Sequence, residues 1–132
     1  MRDPKPSDPF AELFGEFADR LRGDHWEPDV DISETADAVL VRAELAGVRR
    51  EDLRVSVDGD VLRISGIRVI EDSAVVRLHQ MEVASGPFER RVTIPVEFER
   101  ERVVAHLSDG LLTVSLVKRQ PVRRIVKVER ER

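Results

Sequence analysis

A chain of 132 residues, 41% of them apolar, with seven Gly and seven Pro, is long enough for one domain with a proper core and short for two. Charged residues reach 36%, yet 22 basic against 26 acidic side chains leave a net charge of only −4, which argues against a nucleic-acid binder led by its charge. There is no cysteine, so disulfides, thiolate metal sites and thiol nucleophiles are excluded, and neither an apolar signal core in MRDPKPSDPF nor an apolar run of about eighteen residues is found, so a cytoplasmic protein is expected.

Residues 8–22, DPFAELFGEFADRLR, place Phe10, Leu13, Phe14, Phe17, Ala18 and Leu21 at helical spacing, with Glu12, Glu16, Asp19 and Arg20 on the remaining faces. Asp8 can cap this helix, Pro9 suits its first turn, and Gly23 stands where a helix stops. Three of the five Phe lie on one stripe, which makes this segment stickier than anything after it. The stripe can dock on its own domain, lie on a membrane surface or face another protein; its acidic polar face disfavours the membrane.

From Trp26 to Lys118 the hydrophobic period changes to two. Val39, Val41, Ala43 and Leu45 alternate with Leu40, Arg42 and Glu44; Leu53, Val55 and Val57 with Arg54 and Ser56; Leu112, Val114 and Leu116 with Thr113 and Ser115. Further strands are expected at 29–34, 61–66, 75–82 and 88–94. Asp58-Gly59 and Asp109-Gly110 are short hairpin signals, because glycine accepts the positive φ such turns need. Short strands with frequent turn signals and no alternating helices predict an antiparallel β-sandwich.

The stretch from Gly66 to Gly86 is long for a loop in a compact domain and carries its own alternation in VVRLHQME. A strand on such an excursion either folds back on its own sheet or reaches a neighbouring subunit. After Lys118, RQPVRRIVKVERER holds six basic and two acidic residues, a +4 tail that leaves −8 on residues 1–118. Pro121 discourages continuation of the last strand. Extended, Val126-Lys127-Val128 would point two valines to one face and the lysine to the other.

Five stretches then resemble the small heat-shock proteins of the bacterial type, whose shared unit is the α-crystallin domain: Pro28–Glu34; Glu44-Leu45-Ala46-Gly47-Val48 with Arg49–Leu53; Val61–Gly66; Gly86–Arg90 running to Ile94-Pro95; and Ala105–Val114. The resemblance covers roughly residues 26–118, and Val126-Lys127-Val128 is similar to the family's Ile/Val-x-Ile/Val anchor. It implies an all-β, immunoglobulin-like antiparallel sandwich at 26–118, between an N-terminal helical arm at 1–25 and an extended tail at 119–132. It also implies an ATP-independent holdase chaperone of the stress response, without cofactor or metal. Its partners would be unfolded client proteins and copies of itself: a homodimer by strand exchange, assembling into larger oligomers.

On this reading Phe10, Leu13, Phe14, Phe17 and Leu21 meet clients, and Val76, Leu78, Gln80 and Glu82 belong to the exchanged strand. Val126 and Val128 enter a groove lined by Leu53, Val55, Val57, Val104 and His106, motivated by the unpaired edge such a sandwich leaves. Three features depart from the family's pattern: Ala46 stands where proline is usual; near the dimer strand Met81 precedes Glu82 in place of arginine and Ala84-Ser85 precede Gly86 in place of an aromatic; and both tail anchors are valine in place of isoleucine.

Catalytic alternatives are poorly served by the residues. Asp29-x-Asp31-x-Ser33 has Glu34 where a calcium loop needs glycine and Leu40 where it needs a chelating glutamate. His25, His79 and His106 are scattered, and neither Gly-x-Ser-x-Gly nor a glycine-rich phosphate loop occurs. Two rival readings stay open: a monomeric p23-like co-chaperone on a similar sandwich, and an unrelated enzyme on a sandwich scaffold.

Overall fold

The computed structural model describes residues 25–121 and 124–131; the helix expected over 8–22 lies outside them. Alternating burial produces the strands β1 (Val30–Glu34), β2 (Ala38–Glu44), β3 (Leu53–Asp58), β4 (Val61–Arg68), β5 (Gly86–Thr93), β6 (Phe98–Ser108) and β7 (Leu111–Lys118). One sheet runs β1-β2-β7-β6 and the other β3-β4-β5, with every pairing between these strands antiparallel. This is the expected sandwich.

The core forms where the two inner faces meet. Val39, Val41 and Ala43 of β2 and Val114 and Leu116 of β7 are fully buried against Leu62 and Ile64 of β4 and Phe88 of β5. Each large side chain among them contributes up to about 1.5–3 kcal/mol by leaving water. The chain enters by stapling both sheets. Trp26 forms a short parallel bridge to Phe88 at the rim of β5, Pro28 is buried, and β1 then starts in the opposite sheet.

Two turns show why glycine stands where it does. Asp109 (φ 52°) and Gly110 (φ 79°) link β6 to β7 with Ser108 opposite Leu111, the geometry of a two-residue type I′ hairpin. A Cβ on Gly110 would also lie 2.9 Å from the Ala46 Cα, and the Gly110 carbonyl accepts a 2.7 Å bond from the Leu45 N–H. The 45–48 turn closes without the family's proline. Gly47 takes φ 77°, the Val48 N–H donates to the Leu45 carbonyl at 3.0 Å, and the Ala46 N–H, which proline would lack, donates to Glu44 Oε1 at 2.9 Å.

The strand expected at 75–82 does not form within this chain. Residues 69–85 make a long excursion between β4 and β5 with no strand pairing. A lone strand leaves its backbone groups unpaired, so alternation in VVRLHQME is insufficient without an adjacent edge. Nor does the segment fold back on its own sheet in the single chain.

Candidate interaction surfaces

The outer edges of β3 and β6 face each other across the open side of the sandwich, and between them runs a groove of about 240 Å³ lined by Arg50, Leu53, Val55, Ala105, Leu107 and Leu112. It exists because β3 is an edge of one sheet and β6 an edge of the other, so among the described residues no strand covers the inward-facing side chains there. Arg100 of β6 donates from Nε to the Gly59 carbonyl at 3.1 Å, tying the β3–β4 turn to β6. The opposite end carries Arg50, the first residue of a 3-10 turn (Arg50–Asp52) leading into β3. In that turn Arg49 donates to the buried Asp52 carboxylate at 2.9 Å, a bond that raises the affinity of the Arg49 guanidinium for its proton.

Of the residues expected in the groove, Leu53 and Val55 line it, and Val57 packs against the core beside them. Val104 and His106 do not. Val104 is 65% exposed, and it is Val103, Ala105 and Leu107 whose alternation turns them inward. The Val103-Val104 pair hides this register, since either valine could face the core. The hairpin could have revealed it: a two-residue turn at 109–110 places Leu107 opposite the inward Leu112, and hence Ala105 on the same face.

A second surface is the 69–85 excursion. Val76 is 96% exposed, with Leu78, Met81 and Val83 also largely in solvent, and the segment curls around a cavity of about 510 Å³ lined in part by Ile70, Val75, Leu78 and Met81. Gln80 and Glu82, exposed as well, are hydrogen-bonded to each other. Both ends of the excursion are latched by one residue that the sequence did not single out. Arg68 donates from Nε to the Ala84 carbonyl at 2.8 Å and from a terminal nitrogen to the Ala46 carbonyl at 3.1 Å. Its guanidinium lies 4.1 Å from the centroid of the Trp26 ring, whose Nε1 donates to the Gly86 carbonyl at 3.1 Å and whose other neighbour is Phe88, 5.0 Å between centroids. No local motif encodes this cluster, which joins residues far apart in the chain.

The third surface is the tail. Its root is pinned: Lys118 pairs with Glu34 at 2.9 Å and donates to the Thr35 carbonyl at 2.9 Å, while the Arg119 N–H donates to the Glu97 carbonyl at 3.0 Å. Beyond it, Ile125, Val126 (74% exposed) and Val128 (90% exposed) belong to no strand. Among the described residues no three His, Asp or Glu side chains converge as a metal site requires, and no helix is long and apolar enough to cross a membrane.

A sandwich with open edges, a long latched excursion between its fourth and fifth strands and a charged tail that exposes Ile125, Val126 and Val128 defines an α-crystallin type of domain. The model of the Hsp20/alpha crystallin family matches residues 31–130, and the chain belongs to that family. It is 33% identical over 130 residues to a 17.4 kDa class I heat shock protein of Oryza sativa, covering 95% of this chain and 84% of that protein. Among solved structures, Heat shock protein 16.0 of Schizosaccharomyces pombe superposes with a TM-score of 0.66 at 34% identity, covering 80% of this chain and 100% of that one. A small heat-shock protein from Xylella fastidiosa superposes with a TM-score of 0.68 at 30% identity, covering 80% and 99%. The narrower expectation of a bacterial-type member is not borne out, since rice and fission-yeast proteins match as the bacterial one does. Family membership supports a chaperone role and decides against the p23-like reading.

Proposed function

We propose that this chain is an ATP-independent holdase that captures partly unfolded proteins and keeps them from aggregating, working as an oligomer of strand-exchanged dimers. The carrying observation is apolar matter left outside the closed sandwich on two separate segments, the 69–85 excursion and the tail, beside sheet edges that no strand among the described residues covers. Aggregating intermediates expose the same two things, apolar surface and unpaired edges. In this reading Val76, Leu78, Gln80 and Glu82 extend as a strand along a partner's free edge, for which the outer edge of β1 is available. The tail of one copy lays Val126 and Val128 into the β3–β6 groove of another. The Xylella relative, whose structure is described as a distinct high order structure, supports assembly beyond the dimer.

Magnitudes favour many weak contacts over one strong one. Two valines bury about 3–5 kcal/mol at best, and the apolar residues that a helix over 8–22 would align on the order of 10 kcal/mol. Association itself costs an estimated 4–15 kcal/mol, so single tails and single stripes bind transiently and only an assembly of them persists. Phe10, Leu13, Phe14, Phe17 and Leu21 serve as the client surface, the sandwich at 26–118 as scaffold and 119–132 as linker, in the cytoplasm.

The test is suppression of aggregation of a heat-unfolded client, without nucleotide, by the full chain and by a chain lacking residues 1–25. Protection by the full chain and its loss on truncation are expected. No protection by the full chain overturns the holdase reading, and equal protection by both moves the client surface off the helix. Separately, Val126→Glu with Val128→Glu should lower the mass seen by light scattering; an unchanged oligomer overturns the tail anchor.

A further inference from the structure

The exposed run from Ile70 to Val83 ends abruptly: burial resumes at Ala84, the residue whose carbonyl accepts from Arg68 Nε at 2.8 Å. Arg68 and Gly86 are the last pair of the β4–β5 ladder, so Ala84 lies outside strand pairing and is held by this side chain instead. Gly86, at φ 86°, turns the returning chain across Arg68, a conformation that a side chain would resist. The guanidinium is half-buried and, among the described residues, forms no ion pair; it meets the carbonyls of Ala84 and Ala46 and the ring of Trp26. Two of these partners are fixed to the sandwich. Trp26 donates its N–H to the Pro87 carbonyl and accepts from the Glu89 N–H, both at 3.3 Å, and the turn that carries Ala46 is bonded to Gly110 through Leu45.

We infer that Arg68 is the positioning residue of strand exchange: it fixes where and in which direction residues 76–82 leave the sandwich, and so sets how tightly a second copy is held. This rests on the strand-exchange reading above. The two ends of that segment are tethered unequally. Glu82 is two residues from the held Ala84, about 7 Å of extended chain, whereas Val76 is eight residues from Arg68, about 26 Å. The Glu82 end is therefore presented in a nearly fixed place, while the Val76 end has the length to extend along a partner's edge. Without the latch the excursion hangs from the ladder alone, and the ordering that Arg68 provides in advance has to be supplied on association. A guanidinium suits the task because separate N–H groups in one plane reach two carbonyls at once while the group sits over an aromatic ring; an ammonium is a point charge on a flexible stem.

The test uses the full chain with Val126→Glu and Val128→Glu, which removes assembly through the tail, and measures the dimer dissociation constant by sedimentation over a dilution series. Arg68→Ala should weaken the dimer about threefold to tenfold. Arg68→Lys, the milder change, keeps a cation near Trp26 and should fall between; it decides the matter if the alanine chain does not fold. Gly59→Ala is the control for stability alone, since its strain at φ 62° lies beyond the opposite end of β4 and nothing is within 4 Å of its Cβ; its dimer should match that of the unaltered Gly59 chain. Equal dimer affinity with Arg68 kept or replaced, or an equal loss in Gly59→Ala, overturns the inference and leaves strand exchange standing. Val76→Glu with Leu78→Glu should abolish the dimer. A dimer that survives this pair, or no dimer with residues 76–82 and Arg68 all unaltered, removes the exchange reading and this inference together.

Discussion

Replacing Gly66 with alanine adds one methyl group to β4 at a place where two walls already meet. The new Cβ would lie 2.2 Å from the backbone oxygen of Asp52 and 2.8 Å from Cζ of Phe88, against 3.4 Å for the start of ordinary contact. Asp52 cannot retreat freely: its N–H donates to the Arg49 carbonyl at 2.9 Å, its carboxylate is held by Arg49, and Leu53, the next residue, is the register partner of Gly66. Phe88 is fully buried and packed against Trp26 with the rings tilted by 50°. About 1 Å of backbone movement is required, which puts the cost at the upper end of overpacking, about 3 kcal/mol. For a domain of this size that lowers Tm by on the order of 10–20 °C. The sign is diagnostic. Gly66 does not adopt a positive φ, so absent the clash alanine would stabilise by about 0.4–1 kcal/mol through the unfolded chain. Gly59→Ala is the control: nothing lies within 4 Å of its Cβ and only the φ of 62° is strained, costing about 1–2 kcal/mol. Thermal unfolding followed by circular dichroism measures both. A Tm for Gly66→Ala equal to or above that of the unaltered chain would refute the packing argument.

Two further substitutions probe the latch and the β4–β5 ladder. Arg68→Ala removes two bonds to carbonyls and the cation over Trp26, with an expected loss of about 2 kcal/mol. Trp26 is the only tryptophan in a chain without tyrosine, so its emission should shift to the red as Arg68 is lost, and Arg68→Lys should recover only part of the change; unaltered emission and Tm would show that the latch is idle. In the ladder Arg63 lies directly opposite Arg91, a like-charge pairing relieved by Glu89, which accepts from Arg63 Nε at 3.2 Å and Arg91 Nε at 2.6 Å. Burial pushes the Glu89 carboxyl up, but the two arginines together outweigh it and hold the group below its ordinary 4.5. A depressed folded-state value means stabilisation that is complete above about pH 4.5 and is lost as the pH falls through the lower folded value. Glu89→Gln should therefore be less stable than the unaltered chain at pH 7, with the gap closing in acid; a gap that stays constant with pH in denaturant titrations would contradict this.

The strands of the sandwich were legible because a period of two is a local property. Val39, Val41 and Ala43, or Leu112, Val114 and Leu116, announce a buried face wherever the chain later goes, and Asp109-Gly110 marks its hairpin through backbone sterics alone. The heat-shock resemblance was carried by the same local stretches and agrees with the family match. What sequence order leaves open is which edges become neighbours. Whether Val103 or Val104 faces inward, which side chains line the groove, that Arg68 reaches Ala46, Ala84 and Trp26, and that residues 75–82 pair with no edge of their own chain all follow from how two sheets close over each other. Alternation decides that a segment can be a strand; only a neighbouring backbone with free donors and acceptors makes it one, and that neighbour is supplied by tertiary structure.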